Sequence, residues 1–106
     1  MLDLGYLKQI TSHDLAELNY LLEQFITTTK EDISNLKVAI HDNNTSDIKK
    51  ISHRIKGSAV IVGAYELKDL VSELECCEKI RKESYNVVLF KIQNCFQSIT
   101  SEIRTS

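Results

Sequence analysis

The stretch Leu15–Ile40, LAELNYLLEQFITTTKEDISNLKVAI, decides the fold class. In it Leu15, Leu18, Leu22, Phe25, Thr29, Ile33, Leu36 and Ile40 follow one another in steps of three and four. That spacing keeps one face of an α-helix apolar over about seven turns. Ser12, ahead of it, is the expected N-cap, with Asp14 placing a carboxylate in the first turn. The run Thr27-Thr28-Thr29 forms helix poorly and predicts a bend or join. His41 falls at the far end, where the helix dipole favours a partial positive charge.

The same spacing continues on both sides. Leu2, Leu4, Leu7 and Ile10 predict a short first helix. After an Asp42-Asn43-Asn44 turn, Asn44 or Thr45 caps a segment with Ile48, Ile51, Ile55 and Val62 facing in and Ser58 between them. Gly63 closes that helix, as glycine commonly does past a C-terminus. Leu67, Leu70, Val71, Leu74 and Cys77 stripe the next helix, whose end carries Lys79, Arg81 and Lys82. A last helix starts at about Tyr85, with Val88, Leu89, Ile92, Phe96, Ile99 and Ile103 inward. The chain has 106 residues, no proline and three glycines. That length fits one domain, residues 1–106, and all-β folds need more turn residues than this. Short loops between amphipathic helices set neighbours antiparallel. The expected class is all-α, an antiparallel up-down four-helix bundle with a short additional N-terminal helix.

Composition removes several function classes. A formal charge of −2 with 26% charged residues gives an ordinary soluble surface, without the basic excess of a nucleic-acid binder. The longest apolar stretch, Ala59–Ala64, is far too short to cross a bilayer. The start, Met-Leu-Asp-Leu-Gly, does not resemble a signal peptide. Cys76, Cys77 and Cys95 are odd in number and lack a C-x-x-C pair, so three reduced thiols of a cytoplasmic domain are expected rather than disulfides or zinc.

The chemistry gathers in His53-Arg54-Ile55-Lys56-Gly57-Ser58-Ala59. At about 100° per residue, His53 lies about 200° from both Ile51 and Ile55 and so faces outward. Lys49 and Lys50 stand one turn before it, Lys56 and Gly57 one turn after, and Val60 two turns after. Three ammonium groups around an exposed imidazole make a patch that suits a transferred phosphoryl group. A solvated basic face would look similar. Gly57 favours the first reading, since a mid-helix glycine costs about 1 kcal/mol relative to alanine. Its missing side chain would let another protein approach the imidazole, with Val60 as an apolar docking spot.

The run His53-x-Ile55-Lys56-Gly57-Ser58-Ala59, with Gly63-Ala64, Leu67, Leu70 and Leu74-Glu75, resembles the signature of histidine-containing phosphotransfer (HPt) domains. The resemblance implies that His53 accepts a phosphoryl group from a receiver-domain aspartate and returns it to another. It implies that Lys56 meets the phosphoryl oxygens, that Gly57 leaves room for the receiver, and that Glu75 lies beside the imidazole. A carboxylate there would take Nδ1–H and leave Nε2 as the nucleophile. Lys79 matches a position that is basic in some relatives. Ile61 departs from the pattern, where many relatives carry a small or polar residue.

The implied partners are receiver domains of response regulators or of a hybrid histidine kinase, with no nucleic acid and no membrane contact. The receiver would bring the magnesium, so the chain needs no metal or cofactor of its own. It is expected to be a monomer and a phosphocarrier without ATP-dependent kinase activity, in the cytoplasm, as the C-terminal module of a longer sensor kinase. Three rivals are a histidine kinase dimerisation domain, whose Arg-Thr-Pro run is missing here, a bundle that only binds partners, and a phosphohistidine phosphatase. His13 and His41 sit at helix ends without comparable surroundings.

Overall fold

A computed structural model describes residues 2–76 and 82–105, and the described residues form five helices. They are α1 (Gly5–Ile10), α2 (Leu15–His41), α3 (Thr45–Ile61), α4 (Tyr65–Cys76) and α5 (Lys82–Thr105). α3 packs against α2 and α4, and α5 closes the ring by packing against α4 and α2. The result is the expected four-helix bundle with a short extra helix at its N-terminus. Its long axis measures 44 Å against 22 and 19 Å across.

The inward stripes are largely those read from the spacing. Leu18, Leu22, Phe25, Thr29, Ile33, Leu36 and Ile40 of α2 are buried, as are Ile48, Ile51 and Ile55 of α3 and Leu67, Val71 and Leu74 of α4. On α5, Leu89, Ile92 and Ile99 are buried, while Val88, Phe96 and Ile103 pack at the margin. The Phe96 ring meets Phe25 edge-on at 6.3 Å between centroids. Ile55 is wholly buried; truncation to alanine there costs about 2–5 kcal/mol. Because Ile55 fixes the rotation of α3, it also fixes where His53 points.

Several boundaries differ from expectation. Leu15 is 72% exposed, so the buried stripe begins at Leu18. Asp14, not Ser12, caps α2, its carboxylate accepting from the amides of Ala16 and Glu17. Ser12 and His13 occupy the left-handed region, at φ 51° and 62°, and turn the chain between α1 and α2. Thr27-Thr28-Thr29 does not interrupt α2, because tertiary burial of Thr29 overrides weak propensity. Leu2 and Leu4 precede α1 rather than belonging to it, and Ile10 is half exposed. Lys82 opens α5 instead of ending α4. Cys77, Lys79 and Arg81 lie outside the described residues. Cys95 is a free thiol.

Asn44 caps α3 through its side-chain oxygen, which accepts from the Asp47 amide. Gly63 ends it at φ +71°, and a Cβ at that position would collide with the main chain of Asp3. The Asp3 amide donates to the Gly63 carbonyl at 3.1 Å, so the N-terminal segment lies directly on the α3–α4 turn. Only glycine satisfies both demands.

Candidate functional site

α3 offers two consecutive polar side chains to the helices beside it. His53 reaches toward α4, where its Nδ1 lies 2.8 Å from Glu75 Oε1. An ionised carboxylate only accepts, so Nδ1 carries a proton, and in the neutral ring Nε2 holds the lone pair. The imidazole is 73% exposed, which leaves Nε2 open to solvent. The wheel position that put His53 outward is correct.

Glu75 also serves Lys56. Its second oxygen, Oε2, lies 2.8 Å from Lys56 Nζ. Lys56 stands one turn beyond His53 on α3, so one carboxylate of α4 bridges two residues of the neighbouring helix. Lys56 above all, and then His53, holds the Glu75 carboxyl below the usual carboxylate range against the opposing effect of burial. His53, Lys56 and Glu75 are thus brought together, and Lys56 occupies Glu75 rather than open space.

The remaining expected residues surround this triad. Gly57 is exposed, and a Cβ built there meets no atom within 4 Å. The fold therefore has no internal need for a glycine at this position. Val60 is 43% exposed and Ile61 44%. Ile61, one turn after Gly57, also lines an open, largely apolar groove with Ile10, Leu21, Phe25 and Val62. Lys49 is half-buried and Lys50 exposed, and no hydrogen bond or ion pair ties either to His53. Lys50 instead lines a polar groove between α2 and α3 with Asp47 and Arg54. Lys79 lies outside the described residues.

Sequence reading missed Arg54 and Asp32. Arg54 turns toward α2, where Nε (3.1 Å) and Nη2 (2.7 Å) both donate to Asp32 Oδ1. The Asp32 side chain is 7% exposed. One signal was available, since Asp32 falls three residues after Thr29 and four before Leu36, on the apolar face. An acid there requires a cationic partner.

Among the described residues no group of three or more His, Cys, Asp or Glu side chains could hold a metal ion. No helix among them is long and apolar enough to cross a membrane.

The fold is shared with a solved protein. The crystal structure of histidine-containing phosphotransfer protein B from Pseudomonas aeruginosa PAO1 superposes with a TM-score of 0.86 at 21% sequence identity. The match covers 98% of this chain and 91% of that one. No curated protein matches the chain in sequence. The sequence pattern of the Hpt domain matches residues 20–102, which takes in α3 and α4 and most of α2 and α5. The chain therefore belongs to the Hpt domain family, the histidine phosphotransfer modules of phosphorelays.

Proposed function

We propose that His53 is the phosphoacceptor of this module, taking a phosphoryl group from a receiver-domain aspartate and passing it to a response-regulator aspartate. The observation that carries this reading is the 2.8 Å contact between His53 Nδ1 and Glu75 Oε1 on an imidazole that is otherwise exposed. A nucleophilic nitrogen must be unprotonated and reachable; the contact sets the proton of the neutral ring on Nδ1, and the exposure of the ring leaves Nε2 accessible. His13 lies in the α1–α2 turn, and His41 ends α2 beside Asp42 at 3.2 Å. At His53 an open ring, a carboxylate and an ammonium meet on one surface.

Domains of this family work with receiver domains. Gly57 and Val60 are read as the contact surface for the receiver, with Lys49 and Lys50 contributing positive charge toward its acidic site. The receiver is read as the source of the magnesium and acid cluster, while this domain contributes a positioned nucleophile. Lys56 and Glu75 attend the phosphoryl group and the ring. The domain acts in the cytoplasm as a monomer and has no kinase activity of its own.

The test mixes the chain with a phosphorylated receiver and follows acid-labile, alkali-stable label. Label should appear on the native chain and be absent from the His53→Gln variant. Label that persists without His53, or a failure of every receiver of the same organism to transfer, would overturn the reading in favour of a bundle that only binds partners.

A further inference from the structure

Glu75 is shared between two partners whose needs change when a phosphoryl group arrives. At rest its Oε1 takes His53 Nδ1–H and its Oε2 takes Lys56 Nζ, each at 2.8 Å. In the transfer step the Nε2 lone pair attacks phosphorus, and an N–P bond forms. The P–O bond to the receiver aspartate breaks, and its electron pair leaves on that carboxylate. Nδ1 keeps its proton, so the ring takes up positive charge while the phosphoryl oxygens bring negative charge beside it.

These changes make opposite demands. The phosphoryl oxygens need a cation, and the charged ring needs a carboxylate that no other cation is neutralising. We propose that Lys56 exchanges partners during the reaction, seated on Glu75 while His53 is free and moving to the phosphoryl oxygens once His53 is loaded. One displacement then meets both demands, whereas a lysine held on Glu75 would meet neither. The inference rests on His53 being the phosphoacceptor.

The surroundings favour the exchange. Lys56 is an ammonium with three donors on a flexible stem, one turn from His53, and its side chain is 35% exposed. A phosphoryl group carries roughly −1.5 to −2 charge near neutral pH, more than the single charge of Glu75. Among the described residues, the charged groups one turn from His53 along α3 are Lys49, Lys50 and Lys56, and Glu75 faces it from α4. Arg54, the next cation along α3, is held by Asp32 on the opposite seam. Among these, Lys56 alone pairs with the carboxylate that holds the imidazole.

The experiment uses the whole chain with 13C-labelled glutamate at mildly alkaline pH, where phosphohistidine persists. The Glu75 carboxyl signal is recorded in native and Lys56→Met protein, before and after loading from a phosphorylated receiver. The two proteins should differ at rest and converge once loaded, because the native lysine has then left Glu75. A difference of equal size after loading overturns the exchange.

Equilibrium with one fixed receiver gives a second measure. Lys56→Met should lower the loaded fraction by a larger factor in a Glu75→Gln background, where the resting seat no longer competes. Equal factors in the two backgrounds likewise overturn the proposal. A chain that takes no label at His53 takes down the functional reading and the exchange with it. A chain labelled at His53 whose Glu75 signals stay apart removes the exchange alone.

Discussion

His53 and Arg54 are neighbours on α3, and each holds a carboxylate on a flanking helix 22 residues away in sequence. The two seams use similar groups for different ends. At the α2 seam one oxygen of Asp32 takes two guanidinium hydrogens, and the acid is nearly closed to water at 7% exposure. At the α4 seam Glu75 divides its oxygens between His53 and Lys56 and is 22% exposed. A buried charge tolerates no interval without its partner, so Asp32 and Arg54 form a fixed clamp. A carboxylate nearer to water can change partners at lower cost. The difference in burial separates a structural pair from an adjustable one.

The strongest way to break this comparison is to remove Arg54. Arg54→Ala strands the Asp32 carboxylate and should cost about 1–3 kcal/mol in urea unfolding. The exposed guanidinium keeps the loss below the roughly 3–5 kcal/mol of fully buried pairs. Replacing both residues by leucine should recover part of it, while phosphotransfer by the folded fraction stays unchanged. Slower transfer at undiminished stability would reverse the roles of the two seams. Glu75→Ala is the counterpart. It should slow transfer on the order of tenfold, the lower end for residues that orient a functional histidine. Its stability should stay within about 1 kcal/mol of native, as for other half-open ion pairs.

Gly57 sharpens the contrast from the side of access. No atom lies within 4 Å of an added Cβ, so Gly57→Ala should raise stability by up to about 1 kcal/mol through helix propensity. Gly57→Gln should also keep the fold yet weaken receiver binding, measured by thermal unfolding and by titration with a receiver. Undiminished binding by the glutamine variant would show that the glycine is not there for the approach of a partner.

The bundle was legible because burial repeats. Every third or fourth apolar residue of α2 to α5 reports the core, and wheel arithmetic carries that report to the outward placing of His53. The Glu75 contact was reachable through the motif that His53, Lys56, Gly57 and Leu74-Glu75 share with phosphotransfer domains. Spacing alone could not supply it, because contact between α3 and α4 depends on how the helices cross. The Asp32–Arg54 clamp escaped for the same reason, with no motif to stand in for geometry. The cap of α2 was misplaced by two residues because Ser12 and Asp14 both suit the role. The choice turned on backbone angles at Ser12 and His13 that composition does not reveal. Lys56 was read as facing a phosphoryl group, and its pairing with Glu75 at rest follows from distances alone.

The smallest expected effect is the dependence of the α4 seam on pH. Lys56 first, and His53 after it, lower the Glu75 pKa in the folded chain. A carboxylate depressed by folding adds stability that is fully present above its unfolded value, about 4.3. That stability is lost as pH falls through the lower folded value, where the native state must take up a proton that the unfolded chain already holds. The stability gap between native protein and Glu75→Gln should therefore be present above the ordinary glutamate range and close as pH falls below it. Partial exposure keeps the gap small, so it calls for urea unfolding of both proteins at matched pH values rather than a single melting curve. A gap that remained open in strong acid would mean that Glu75 stabilises the fold through packing instead of charge. The α4 seam would then be as fixed as the α2 seam, and the contrast between them would lose its physical basis.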